Sequence, residues 1–457
     1  MPVSCGHFRF RLSVHDSQRA LEHEFSDLDP LQSSANNRCM VEFQNKDIAG
    51  SDVVGSFLAP PGLYVHVPFC LSFCPFCPYN KTIFQETLTE GYFAALSQEA
   101  RQYLDHIDKP FTSLYIGGGT PTLCLHQLAS LLATIPVEGE RAIEVLPNHS
   151  IPENVSRMRD MGINYISLGV QSFSDEMLRH LGRPHAAEDN RRALDNTLGQ
   201  FECIDVDLIF DVAYDRQDIF IDDALTCFQV GVDQLSTYPL MRFGYTPFGK
   251  SRHYPRKEHE VLKRLEGLAQ AHGYERRSVW TFNRINSPNY TSVTREFYLG
   301  IGAGAASYTG TQFLVNHFGL QPYIRKLHQG KLPVARRATL GRLKSALYYL
   351  FWQFYTGSIG LDRFTECFPA ERRLRALIGT LVWTGHLRIE QGQAYLTRQG
   401  YDRYHDLERW VTYHFIEPLW EDMMQEHNSQ ADAPRTPGIM GRFWRRVADV
   451  RPVEVTR

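Results

Sequence analysis

Three changes in the spacing of apolar positions divide this chain. Residues 1–60 mix polar and apolar positions with little periodicity and end at Pro60-Pro61-Gly62, so they read as an N-terminal extension. From Leu63 to Val67 the pattern alternates and is β-rich, which predicts a strand. Apolar residues then recur at helical spacing over 88–107, at Leu88, Tyr92, Leu96, Ala100, Tyr103 and Leu104. Short apolar runs at 113–116, 142–145, 165–170, 204–210 and 234–238 predict five more strands. Helical patterns at 125–135, 150–161, 175–181 and 219–229 fall between them. Strands alternating with helices imply βαβ units with right-handed crossovers and a parallel sheet. The expected fold is α/β, a partial (β/α)6 barrel over 61–335 with ligands at the carboxyl ends of the strands.

Beyond residue 335 the helical period takes over. Helices are predicted at 340–355 and 374–384, then a hairpin of 387–389 and 393–397 around Gly392. Helix, helix and hairpin predict a mostly helical, winged-helix-like C-terminal domain over 336–427. Residues 428–457 form a polar tail carrying Arg442, Arg445 and Arg446, expected to be a mobile end.

Composition narrows the class. The 457 residues are 43% hydrophobic and 22% charged, globular values that allow a large core without disulfide staples. A formal net charge of -3 gives no pointer to nucleic acid or an anionic membrane, and neither is expected as a partner. No apolar run reaches membrane-spanning length. The N-terminus carries Arg9, Arg11, Asp16, Glu22 and Glu24 without an apolar stretch, so no secretory signal is expected. Six of nine cysteines are scattered and three lie within eight residues, which fits a reducing, cytoplasmic compartment better than a disulfide framework.

Those three are Cys70, Cys74 and Cys77, spaced CxxxCxxC directly after the first strand. Three thiolates on one tight loop suit an iron–sulfur cluster. Three ligands for four irons leave one iron open to a small molecule. A zinc knuckle or three structural cysteines are the alternatives from spacing alone; zinc would want a fourth ligand, with His66 the nearest candidate.

Further segments carry a resemblance. Tyr64-Val65-His66-Val67-Pro68-Phe69-Cys70, Gly117-Gly118-Gly119-Thr120-Pro121-Thr122, Ser167–Phe173 followed by Leu181-Gly182-Arg183, Asp207-Leu208-Ile209 and Leu299–Ala305 stand in order. Together they resemble the oxygen-independent coproporphyrinogen III oxidase-like group of the radical S-adenosylmethionine (SAM) superfamily, over residues 60–335 and more weakly to about 425. The resemblance implies a [4Fe–4S] cluster on Cys70, Cys74 and Cys77. It implies SAM as the second cofactor, in one or two molecules, an external electron donor such as flavodoxin or ferredoxin, and reductive cleavage of SAM to act on a small molecule. By the same resemblance Gly118, Gly119 and Thr120 receive the SAM amino group, Glu144 pairs with its ammonium or ribose, Arg183 meets its carboxylate, and Gln171 and Asp207 lie near it. Tyr64 would lean on the cluster or sulfonium, His66 would give a proton or hydrogen bond, Phe76 would shield the cluster, and Ala306 would let a ligand approach the wall. Each position also has an ordinary reading: a tight turn at the glycines, helix capping for Glu144 and Asp207, a satisfied core histidine for His66.

Two departures bear on the substrate. The oxidases carry a further cysteine two residues after the third ligand, where this chain has Tyr79, which weighs against decarboxylation. The haem chaperones of the group favour a histidine after the glycine–alanine stretch, where this chain has Ala305-Ala306-Ser307. Modification of a small molecule, by methyl or methylene transfer or by oxidative decarboxylation, is expected first, with a haem chaperone or coproporphyrinogen III dehydrogenase-type role as the alternative. Ser278–Arg284, with Tyr290, Arg295, Phe297 and Tyr298, is aromatic and polar enough to line a pocket for a flat, conjugated or tetrapyrrole-like substrate. An ordinary buried strand is the other reading.

Overall fold

The computed structural model describes residue 43 and residues 47–214, 216–250, 255–288 and 296–430. The 1–60 extension is thus described only in part, and the tail beyond Gln430 lies outside the described residues, as do Tyr290 and Arg295. Residues 47–58 pack on the body of the protein: Val53 is fully buried, and the Leu58 N–H donates to the Thr309 carbonyl.

Strand β1 (Gly62–Val67) runs into a two-residue strand β2 (Phe69–Cys70), which pairs with β3 (Thr82–Ile83) across the cysteine loop. Then come β4 (Leu114–Gly118), β5 (Arg141–Val145), β6 (Tyr165–Gln171), β7 (Cys203–Phe210) and β8 (Gln234–Pro239), each joined to the next through helix. Strands β9 (Tyr274–Arg276), β10 (Thr281–Arg284), β11 (Tyr298–Ile301), β12 (Ala306–Tyr308), β13 (Gln312–Asn316) and β14 (Val334–Thr339) complete one sheet. Its order is β14-β13-β12-β11-β1-β4-β5-β6-β7-β8-β10-β9, and the terminal strands do not pair with each other. This is a partial barrel, and it does not close.

The parallel core has seven strands where the periodicity predicts six. The added strand is β11, which pairs in parallel with β1 through Leu63↔Leu299 and Val65↔Ile301. Its glycine-rich sequence hides it: Gly300 has no room for a side chain, because a Cβ there would lie 2.1 Å from the Ala306 carbonyl. The helix Ala187–Thr197 was also missed, since its polar face leaves Ala187, Asn190, Ala193, Leu194 and Thr197 to carry the buried side.

Outward positions of the parallel strands are aliphatic and pack under helices. Leu63, Val65 and Val67 of β1 are buried, and the helix Glu86–Leu104 covers the same core with Tyr92, Leu96, Ala100 and Tyr103, the spacing seen in the sequence. Of the two readings of Ser278–Arg284, the pocket lining is corrected here and the buried strand holds, with Ser278 to Asn283 buried. Trp280 and Phe282 are fully buried on or beside β10, the Trp280 carbonyl accepts the Thr237 N–H at 2.8 Å, and the Trp280 ring packs on the fully buried His405.

The C-terminal region runs helix Arg342–Tyr355, β15 (Ser358–Gly360), helices Leu361–Cys367 and Arg372–Trp383, then the hairpin β16 (Leu387–Glu390) and β17 (Gln393–Leu396). Its sheet order β15-β17-β16 is the winged-helix arrangement. A long helix then crosses back to the barrel as Arg398–Val411, a π-helical turn at Thr412–Ile416, and Glu417–Gln430. Among the described residues, no helix is long and apolar enough to cross a membrane.

Candidate functional site

Alternation along the strands places one set of residues inside the barrel. The pairings Tyr64↔Tyr115↔Ala142↔Tyr165↔Cys203 form one inward layer, and Glu144↔Ser167↔Asp205↔Gln234 the next. One layer higher, Asp207 pairs with Ser236.

At the carboxyl end of β1 the chain enters the cysteine loop, and His66 braces it. The His66 Nε2 donates to the Asn80 carbonyl at 3.1 Å, and a carbonyl only accepts, so Nδ1 is free to accept the Tyr64 hydroxyl at 2.8 Å. Asn80 in turn donates to the Ala303 and Phe318 carbonyls. His66 is 4% exposed, and burial pushes its pKa down to about 4, so the ring is neutral at physiological pH. Both nitrogens of His66 are thus engaged within the protein, and Tyr64 is held by the same chain.

Cys70, Cys74 and Cys77 are free thiols, each partly exposed. Cys74 Sγ accepts from Arg183 Nη1 at 3.1 Å, Thr120 Oγ1 sits 3.9 Å from Cys70 Sγ, and Lys81 Nζ donates to the Cys77 carbonyl at 2.6 Å. Burial raises the Cys70 thiol to about 12 and also raises Cys77. Ligation of a metal would therefore release protons, as thiolate sites generally do. Gly182, at φ 68°, is required beside the loop because a Cβ would lie 2.6 Å from Pro75. Phe76 packs with Met177, Leu181, Ile209, Ile219 and Leu240.

The triple glycine ends β4 against the same loop. A Cβ on Gly118 would meet the His66 ring at 2.6 Å, and one on Gly119 would meet the Phe69 carbonyl at 2.6 Å. Much of this glycine requirement therefore comes from protein packing. The Gly118 N–H donates to Glu144 Oε2 at 3.1 Å and the Tyr115 hydroxyl to Oε1 at 2.6 Å. Gln171 adopts φ 67° where the β6–β7 register slips, a bulge that re-aims its side chain beside Gly169 and Arg183. Arg183 Nη2 donates to the Gly169 carbonyl at 2.9 Å, while its buried Nε has no protein partner. Ala306 packs against the buried cluster of Val315, Phe318, Ala335 and Met423, which Leu419 and Trp420 also cover.

The inner wall is acidic. Asp207 accepts the Ser167 hydroxyl at 2.7 Å, and Asp205 accepts the Ser236 hydroxyl at 2.8 Å. Burial raises both carboxyls, Asp205 to about 7, and Asp205 further raises Asp207; Glu144 is raised by burial as well. Asp205 was missed in the sequence, though the alternation Asp205-Val206-Asp207 signals that both carboxylates share the inward face. Buried carboxylates with hydroxyl partners and one nearby guanidinium favour a cationic guest.

This donor set fits the two groups the motifs imply. Three thiols on a loop suit a multi-iron cluster, and among the described residues no three His, Cys, Asp or Glu side chains group tightly enough for a single ion. The unpartnered Arg183 Nε and the raised carboxylates complement a ligand with one carboxylate and two positive centres, which is the charge pattern of SAM.

Comparison with known proteins agrees. Residues 64–210 match the radical SAM superfamily. The chain is 27% identical over 361 residues to the haem chaperone HemW of Bacillus subtilis, covering 74% of this chain and 95% of that protein. It is 27% identical over 315 residues to the oxygen-independent coproporphyrinogen III oxidase of Pseudomonas aeruginosa, covering 61% and 68%. The solved structure of coproporphyrinogen III oxidase (HemN) from Escherichia coli, a radical SAM enzyme, superposes with a TM-score of 0.68 at 20% identity over 80% of this chain and 94% of that one, a likeness of fold. The radical SAM superfamily implies a [4Fe–4S] cluster and SAM. By sequence segments, domain match and fold together, the chain is similar to the HemN/HemW-like group of that superfamily.

Proposed function

We propose that this protein binds a [4Fe–4S] cluster and SAM at the carboxyl edge of the barrel, cleaves SAM reductively, and takes a tetrapyrrole as substrate or cargo. The observation that carries the first part is three free thiols on one loop facing Arg183 and an acidic wall. Cys70, Cys74 and Cys77 would hold the cluster. Arg183 would take the carboxylate of SAM through its open Nε, and Glu144 and Asp207 would face its positive centres. When bound, the two cofactors supply one-electron cleavage of a carbon–sulfur bond and hence a carbon radical. His66 and Tyr64 fix the geometry of the cysteine loop, and the neutral His66 ring adds no charge beside it. Phe76 supplies an apolar side to the loop.

The second part rests on the relatives, whose printed activities both concern haem or its precursor. It replaces methyl or methylene transfer as the favoured reading. Tyr79 at the oxidase cysteine position favours a role closer to haem handling than to decarboxylation. The test is anaerobic reconstitution with iron and sulfide, then SAM with dithionite, with deoxyadenosine measured by chromatography. Deoxyadenosine formation is expected; a colourless protein that leaves SAM intact overturns the reading. Titration with haem and with coproporphyrinogen III separates the two tetrapyrrole roles. A Soret shift without turnover marks cargo, and consumption of coproporphyrinogen III marks substrate.

A further inference from the structure

Among the described residues, Tyr79 and Trp383 are the two aromatics among the exposed large hydrophobic side chains. Trp383 is 74% exposed on the winged-helix-like unit, far along the chain from the cysteines. Tyr79 is 51% exposed and stands two residues after Cys77. It stands between β2 and β3, on the cysteine loop that leaves the carboxyl end of β1, the end of the barrel where ligands enter, and half of its surface is open there.

The ring is held from behind. Trp420 of the helix Glu417–Gln430 packs on it with centroids 5.4 Å apart, and Phe243 lies 6.4 Å beyond in a stacked geometry. Tyr413, in the π-helical turn, packs on Phe243 and accepts the Arg242 N–H at 3.1 Å. Tyr245 donates to the Pro78 carbonyl at 3.4 Å, and Glu417 accepts the Gly244 N–H. The loop after β8 and the C-terminal helix are thus joined to the cysteine loop through aromatic contacts. Packing alone would bury the terminal ring of such a row, and Tyr79 instead leaves half its surface open beside the thiols.

We propose that the Tyr79 ring is the stacking platform for a flat, conjugated ligand, with Trp420 as a positioning residue that sets its angle. Resting on the tetrapyrrole reading above, the ligand is a porphyrin-type macrocycle. The macrocycle's apolar face lies on the ring, and its carboxylates stay outward, where they keep their hydration. An aromatic platform with no added charge suits an extended π-system, and pairs of this kind strengthen association beyond area burial.

The test uses the full-length reconstituted protein and two probes, haem followed by the Soret band and coproporphyrin III followed by fluorescence. Tyr79→Ala should weaken both by at least about tenfold. Tyr79→Phe, which keeps the ring, should stay within about twofold. Trp420→Ala should weaken binding by about threefold to tenfold, and Trp420→Phe should recover most of the loss. Trp383→Ala, at the other exposed aromatic, should leave binding unchanged. Thermal melting of each variant identifies any that fail to fold, and the Phe variants carry the test if the Ala variants do. If wild type binds and Tyr79→Ala and Trp420→Ala, folded, bind equally well, the platform is wrong while the tetrapyrrole reading stands. If Tyr79→Phe loses as much as Tyr79→Ala, the hydroxyl and not the ring is the contact, and the platform is again wrong. If folded wild type binds neither probe, the tetrapyrrole reading fails, and the porphyrin platform with it.

Discussion

On β6, Ser167 turns into the barrel and donates to Asp207, while its neighbour Leu168 turns out and is fully buried under the helices. The same contrast holds on β7 between Asp205 and Val206, and on β5 between Glu144 and Val145. One face of each strand buries hydrocarbon, which favours folding. The other buries carboxylates and hydroxyls, which opposes it. Burial by itself therefore does not distinguish the two faces; the partners do. Glu99 sharpens the point. It is a fully buried carboxylate in the outer layer, yet it accepts from the Gly302 N–H at 2.8 Å, Asn316 at 2.7 Å and the Tyr323 hydroxyl at 2.5 Å. That group is a structural clamp held by three donors of the protein, whereas Asp207 in the inner wall accepts from the Ser167 hydroxyl and Glu144 from one hydroxyl and one N–H, fewer donors than Glu99 has.

Four experiments break or sharpen this contrast. Replacing Cys70, Cys74 or Cys77 by alanine should abolish cluster iron, measured by absorbance and metal analysis. Cys124→Ala, in the outer core, should leave iron unchanged. Iron retained in all three loop variants would remove the basis for the inner site.

Leu168→Ala should cost about 3 kcal/mol in urea unfolding through lost transfer energy and a cavity. Ser167→Ala, one residue away, should cost about 1 kcal/mol through one hydrogen bond and should weaken SAM binding, which Leu168→Ala does only by unfolding. Equal stability losses would show that both faces are structural.

Burial raises Glu99 to about 7 from its ordinary 4.5. A carboxyl raised on folding adds stability that is full below about pH 4.5 and is lost as pH rises through about 7. Unfolding free energy should therefore fall by about 3 kcal/mol across that window from this group, and Glu99→Gln should flatten the dependence by that amount. An unchanged slope in Glu99→Gln would mean that the ionised carboxylate is already stabilised by its three donors.

Asp207→Asn should move stability and function in opposite directions. Removing a charge that burial and Asp205 both disfavour should raise the melting temperature slightly above neutral pH. SAM affinity, by equilibrium dialysis, should drop on the order of tenfold, the scale of one charge-assisted hydrogen bond. A variant that is destabilised and binds SAM normally would make Asp207 a structural residue.

Periodicity along the sequence determined the parallel strands from 63 to 238, the covering helix, expected over 88–107 and found at Glu86–Leu104, and two helices and the hairpin of the C-terminal unit, though not β15, the helix Leu361–Cys367 or the long final helix. These follow from local alternation and local helical spacing, which act within a window of a few residues. The thiol loop was equally legible, because its three cysteines lie within eight residues. The seventh parallel strand was not, since β11 becomes a strand only by pairing with β1, more than two hundred residues earlier. Asp205 stood in plain alternation yet looked like any strand residue until Ser236 and Asp207 defined its face. For the aromatic run Ser278–Arg284 composition left a pocket lining and a buried strand equally open, and burial of Trp280 and Phe282 decides for the strand, while Tyr79 stands half exposed on the cysteine loop. Composition says that a side chain is aromatic or acidic; only the path of the distant helix bearing Trp420 decides which aromatic packs beside the thiol loop. That path is set by long-range packing, and no local pattern encodes it.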